Sequence, residues 1–239
     1  MSDVSQDNCM LKVSDLHAYY GESHVLHGVN FEVHQGEVVT LLGRNGAGKT
    51  STMRSILGIL SKRSGSIRFR DTELIKMAPY RIPRLGIAYV PEERGIFSSL
   101  NVEENLFLPP VVKNGGMDVE QIFALFPNLK GRNTTQGTRL SGGEQQMLAM
   151  ARVLRTGADL ILLDEPTEGL APVIIDQIGA ALLALKKRGY TILMVEQNFR
   201  FASSIADRHY VMEEGHIVDM IHNEEIDAKR DLLNHYLGL

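Results

Sequence analysis

The stretch EVVTLLGRNGAGKTSTMRSIL, residues 37–57, constrains the fold more than any other part of the chain. An apolar run of strand type leads into Gly43-x-x-x-x-Gly48-Lys49-Thr50, and Met53, Ile56, Leu57 and Leu60 follow at helical spacing. A glycine-rich loop between a strand and a helix is a phosphate cradle. The loop, Gly43, Arg44, Asn45, Gly46, Ala47, Gly48, Lys49, Thr50 and Ser51, is small enough for the N–H groups of Gly46 to Lys49 to turn inward. The helix start adds partial positive charge. Lys49 is placed to reach terminal phosphates, and the Thr50 hydroxyl to ligate Mg2+.

Magnesium also requires a carboxylate. DLILLDEP offers Asp164 at the end of an apolar strand, with Glu165 next to it. Adjacent strand residues point to opposite faces, so both carboxylates serve one ligand only if the strand end splays. Asp164 then holds the metal, and Glu165 orients or deprotonates an attacking water.

Strand-like runs recur as LKVSDLHAYY, VNFEV, EVVTLLG, SIRFR, GIAYVP, DLILLDE, TILMVE and RHYVMEEG. The later ones are apolar almost throughout, as in a sheet covered on both faces, whereas the early ones alternate. Helical spacing returns after Ser141 and in VIIDQIGAALLALKKRG, which begins after Pro172 and ends in basic residues at Gly189. The class is α/β. Residues 93–140 lack strong strands and contain LPPVVKNGGMD, a surface loop, so a helical subdomain is expected within a single domain spanning 1–239. The tail HNEEIDAKRDLLNHYLGL is expected to cap the core with Ile226, Leu232, Leu233 and Leu237.

A net charge of −4 gives no broad basic field, which argues against nucleic acid. Cys9 is the single cysteine, so an intrachain disulfide is excluded, and the remaining histidines are read as scattered. MSDVSQDNCM has no leader pattern and no apolar run is long enough to span a bilayer, so the expectation is a chain that docks on a membrane protein instead.

TRLSGGEQQMLAMAR is a second helix start fit to hold an anion. Phosphoryl transfer needs donors on both sides of the γ-phosphate, yet LSGGEQQ carries no cation at the right place. It offers the Ser141 hydroxyl, the Gly142 and Gly143 amides and a helix dipole, with Glu144 following. Two chains facing head to tail would each close this segment over the nucleotide of the other.

In this order and spacing GRNGAGKT, LSGGEQQ and LILLDEP resemble the ATP-binding subunit of ABC transporters, over nearly the whole chain. The resemblance implies a P-loop NTPase of ABC type, with an N-terminal antiparallel β subdomain and a helical subdomain. It implies ATP and Mg2+ as ligands and adenine stacked on Tyr20. Three segments depart from the common pattern: YVPEERGIF has Glu92 for a glutamine at the metal, DEPTEGLAP has Ala171 for an aspartate, and LMVEQNFRFA has Gln197 for a histidine at the γ-phosphate. With NVEENL, these resemble the second ATP-binding subunit of the branched-chain amino acid importers. That branch implies a second, different ATP-binding subunit, two permease subunits, a periplasmic or extracellular substrate-binding protein, and a peripheral place on the cytoplasmic face of the plasma (inner) membrane. Urea or short-chain amides are the alternative cargo. The other classes are a soluble non-transport ATPase and a regulatory module that does not hydrolyse; intact Glu165 speaks against the latter.

Overall fold

The computed structural model describes residues 8–238; residues 1–7, in the segment read as lacking a leader, and Leu239, at the end of the tail, lie outside it. The elements in order are β1 (Cys9–Tyr20), β2 (Ser23–His34), β3 (Val38–Leu42), α1 (Lys49–Ile56), β4 (Arg63–Phe69), β5 (Thr72–Glu73), β6 (Ile87–Val90), α2 (Val102–Phe107) and α3 (Val119–Leu125). There follow α4 (Gly142–Leu154), β7 (Leu160–Asp164), α5 (Pro172–Lys187), β8 (Thr191–Glu196), α6 (Phe199–Ser203), β9 (Arg208–Glu213), β10 (His216–His222) and α7 (Arg230–Leu237).

An antiparallel sheet runs β2-β1-β4-β5, and a second sheet runs β10-β9-β3-β8-β7-β6, parallel except for the β9/β10 hairpin. The central strands are apolar on both faces because each face has its own core. Val39, Leu41, Leu160, Leu162, Leu193 and Val195 pack with the antiparallel sheet and α1. Their neighbours Val38, Ile161, Leu163, Ile192 and Met194 pack against α4 and α5. Each such side chain contributes roughly 1.5–3 kcal/mol when fully buried, so the alternation fixes both layers at once.

Several expectations change in detail. The helix after the phosphate loop stops at Ile56, because Gly58 turns the chain with φ 74°, and Leu57 and Leu60 reach the core from outside it. The helices within 93–140 are two short ones, α2 and α3, each started by a capping box, Asn101 with Glu104 and Asp118 with Gln121. β5 and β10 escaped the sequence reading. β10 follows a tight turn in which Glu214 and Gly215 both take positive φ, 45° and 78°. In the tail, α7 buries Leu233 against Val211 and Ile221, while Leu232 is exposed. Four histidines are not scattered: His17 and His24 meet at 3.1 Å, and His24, His27 and His216 continue the row with ring centroids 4.0 and 4.9 Å apart.

Candidate functional site

Four neighbouring parallel strands, β3, β8, β7 and β6, end along one edge of the large sheet, and each delivers a candidate residue just beyond its last ladder position. β3 runs into the phosphate loop, β7 ends in Asp164 and Glu165, β8 leads to Gln197, and β6 leads to Glu92. Ligands of open α/β sheets collect at this edge. A cleft of about 370 Å³ opens there, lined by Asn45, Gly46, Gly48, Lys49, Thr50 and Ser51 of the loop together with Glu92, Glu165 and Gln197.

The loop is shaped by two glycines for two reasons. Gly48 precedes α1 with φ 104°, a conformation that L side chains rarely adopt, and this aims the first turn at the cleft. Gly43 is glycine because a Cβ there would stand 2.4 Å from the Met212 carbonyl oxygen, a packing demand of β9 rather than of phosphate. Gly43, Arg44 and Ala47 support the loop without lining the cleft. The Lys49 ammonium is 4 % exposed, donates to the carbonyls of Gly43 and Arg44 at 2.9 and 3.1 Å, and lies 3.2 Å from Glu165 Oε1.

Asp164 is buried and does not line the cleft, whereas Glu165 reaches it through backbone strain. Its φ is 45°, left-handed for a residue with a Cβ, and its N–H donates to the Val195 carbonyl at 3.0 Å. Thr50 Oγ1 donates to Asp164 Oδ1 at 3.0 Å, and the Tyr89 hydroxyl donates to Asp164 Oδ2 at 2.8 Å. Burial raises the Asp164 carboxyl above its ordinary range against the opposing pull of these two bonds. Burial followed by the charges of Glu165 and Asp164 raises Glu92 as well. Oxygen donors that repel one another in this way fit a hard divalent cation, and Thr50, Asp164 and Glu92 are the set suited to Mg2+.

Gln197 Nε2 donates to Asn45 Oδ1 at 2.5 Å and to Glu165 Oε2 at 3.2 Å, so it bridges the phosphate loop to Glu165. Tyr20 does not line this cleft. It sits at the end of β1, 42 % exposed, with its hydroxyl 3.4 Å from Arg54 Nη1 on α1.

Ser141 to Glu144 contribute nothing to the cleft among the described residues. Ser141 Oγ accepts from Glu144 N at 3.3 Å and Glu144 Oε2 accepts from Ser141 N at 2.8 Å, a closed capping box. Gly143 packs on α5, where a Cβ would meet Ile174 Cγ2 at 2.6 Å. The segment itself carries no cation, but another loop lays one beside it. Arg94, with φ 67°, lays its guanidinium over Gly142, and its Nη1 donates to Gln145 Oε1 at 3.3 Å. A separation of 51 positions hid that contact, and one of 75 hid Tyr89; only the strand phase of GIAYVP hints at the latter.

Residues 26–168 match the model of the ABC transporter family. The chain belongs to that family. The high-affinity branched-chain amino acid transport ATP-binding protein BraG of Pseudomonas aeruginosa is 44% identical over 87% of this chain and 91% of its own. The probable branched-chain amino acid transport ATP-binding protein LivF of Archaeoglobus fulgidus is 35% identical, over 87% and 90%. The cassette also resembles the lipopolysaccharide export ATP-binding protein LptB of Escherichia coli, at 30% identity over 95% and 97%. Among solved structures, a nucleotide-free ATP-binding cassette from an ABC transporter superposes with a TM-score of 0.82 at 26% identity, covering 93% of this chain and 95% of that one. The cassette fold and the branch implied by the sequence motifs are therefore those of the chain.

Proposed function

We propose that this chain is the ATP-hydrolysing subunit of an importer for branched-chain or related amino acids. The observation that carries the enzymatic part is the left-handed turn at Glu165, which brings its carboxylate to Lys49 in the cleft, next to Thr50 and the buried Asp164 bonded to it. Lys49 and the loop amides bind the β and γ phosphates of ATP. Thr50, Asp164 and Glu92 would hold Mg2+, which would supply positive charge to neutralise the phosphate oxygens. Glu165 takes the proton of the attacking water, and Gln197 keeps its carboxylate turned toward the γ-phosphate. Tyr20, exposed outside the cleft beside Arg54, is assigned to stacking on adenine.

Ser141 is exposed and Gly142 half-buried, with Gly143 packed behind them on α5, and this helix start serves the nucleotide of a second ATP-binding subunit arranged head to tail. The departures at Glu92, Ala171 and Gln197 make the two sites unequal, which favours a heterodimer. The pair sits under two permease subunits, fed by a substrate-binding protein, on the cytoplasmic face of the membrane. Among the described residues no helix is long and apolar enough to cross a membrane, in keeping with a peripheral subunit. Cargo is read elsewhere, since similar cassettes carry amino acid and lipopolysaccharide names.

The test is ATP turnover of the assembled transporter in vesicles with substrate-binding protein. Leucine-type amino acids are expected to stimulate it. Stimulation by urea or short amides alone would overturn the cargo assignment, and absence of turnover with every partner present would overturn the ATPase.

A further inference from the structure

Beside the cleft lies a buried acid that the mechanism above leaves unused. Glu196, the last residue of β8, is 2 % exposed, yet its carboxyl is fully engaged. Oε1 accepts from the Thr167 hydroxyl at 2.8 Å, and Oε2 accepts from the Asn198 N–H at 3.2 Å. Thr167 is itself 5 % exposed and stands two residues after Glu165; Asn198 stands one residue after Gln197. A buried ionisable group is costly in a core, and an apolar residue would fill the end of this strand at less expense of solvation. What the carboxyl supplies instead is a tie between two loops.

We infer that Glu196 is a positioning residue for hydrolysis, clamping the loop that starts at Glu165 to the loop that starts at Gln197 and so holding the contact between those two side chains. The geometry requires such a tie. The Glu165 carboxylate and the Gln197 amide meet at 3.2 Å on two separate loops, and Glu165 is held in the left-handed region, which persists only where surrounding bonds over-determine it. β7 and β8 are paired up to Asp164 and Val195, so the ladder ends where the loops begin. The Thr167–Glu196–Asn198 bridge continues the connection past the last ladder bond. Burial pushes the Glu196 carboxyl up to about 7, with the two bonds pulling the other way and the charge of Glu165 adding to the rise, which places its partners within one electrostatic cluster.

This inference rests on Glu165 and Gln197 being the hydrolytic pair, and the experiment separates the two. ATP turnover of the assembled transporter is measured for Thr167→Val, Thr167→Ser, Glu196→Ala, the double variant Thr167→Val/Glu196→Ala, and Glu165→Gln. A buried partner left without its hydrogen bond corresponds to about a tenfold loss of kcat for Thr167→Val and for Glu196→Ala, with KM for ATP unchanged within about twofold. Thr167→Ser keeps the hydroxyl and restores the wild-type rate, a rescue that a role in packing alone does not give. The double variant is expected to be no slower than the slower single one, because both break the same bond. Should Glu196→Ala fail to fold, the Thr167 pair carries the test alone. Wild-type kcat in Thr167→Val, while Glu165→Gln is inactive, would overturn the clamp and leave the hydrolytic pair standing. Undiminished turnover in Glu165→Gln would remove the pair itself.

Discussion

α1 and α4 both begin at a glycine-rich turn, but α1 starts from Gly48 in the left-handed region with no side-chain cap, whereas α4 starts from Ser141 in a reciprocal capping box with Glu144. At α1 the first amides are left to a ligand, and a buried lysine and two carboxylates stand around them. At α4 the serine hydroxyl already accepts one amide, leaving the Gly142 and Gly143 N–H groups, and the cations beside it, Arg94 at Gly142 and Arg132 paired with Glu144, come from other segments. On the function proposed above, the α1 start holds the phosphates with its own residues. The other can close a site but not make one, which is the chemical reason a cassette of this kind needs a neighbour.

Breaking the complete site has the largest effect. Lys49→Ala removes the one side-chain cation among the cleft-lining residues, and nucleotide titration is expected to show loss of tight ATP binding; undiminished affinity would remove the assignment. Next comes Glu165→Gln. Loss of a general base costs on the order of a hundred- to ten-thousandfold in turnover, with ATP binding retained.

A pH measurement sharpens the same half of the comparison. Glu196 rises from 4.5 to about 7 through burial, so the folded chain holds a proton that the unfolded chain has released. The stability this contributes is fully present below pH 4.5 and is lost as pH rises through about 7, by at most about 3 kcal/mol. Urea denaturation at pH 5 and pH 9 is expected to show a loss in the wild type that Glu196→Gln lacks. Equal losses in both would mean that Glu196 does not carry it.

Gln197→Ala is expected to be milder. It removes the amide that donates to Asn45 and to the Glu165 carboxylate, the latter a charge-assisted bond worth about 1.5–3 kcal/mol, so turnover falls by roughly ten- to a hundredfold. If it is as inactive as Glu165→Gln, Gln197 fully replaces the histidine of related cassettes.

Local patterns were legible in the sequence and cross-chain contacts were not. Gly43 to Thr50 and Asp164 were readable because strand, turn and helix signals flank them within a few residues. That Glu165 enters the cleft while Asp164 stays buried on Thr50 required a positive φ that no side-chain pattern encodes. Tyr89, Arg94 and Glu196 were invisible because each acts on a partner between 29 and 75 positions away. The hairpin that makes β10 was missed because its turn depends on Glu214 entering the left-handed region beside Gly215. The central strands were readable for the opposite reason: both of their faces are buried, so their composition alone betrays them.

The central claim is that the two helix starts of this chain serve two different nucleotides, and titration of ATP into the isolated chain carrying Ser141→Arg tests it most directly. The substitution removes an exposed N-cap, at a cost of about 1 kcal/mol that the fold tolerates, and blocks the approach to Gly142 and Gly143. If the segment serves only a partner's nucleotide, the variant binds ATP at its own phosphate loop with an affinity within about twofold of wild type, less than 0.5 kcal/mol apart. A loss of about tenfold or more in that isolated chain would place Ser141 in the same site as Lys49 and contradict the account.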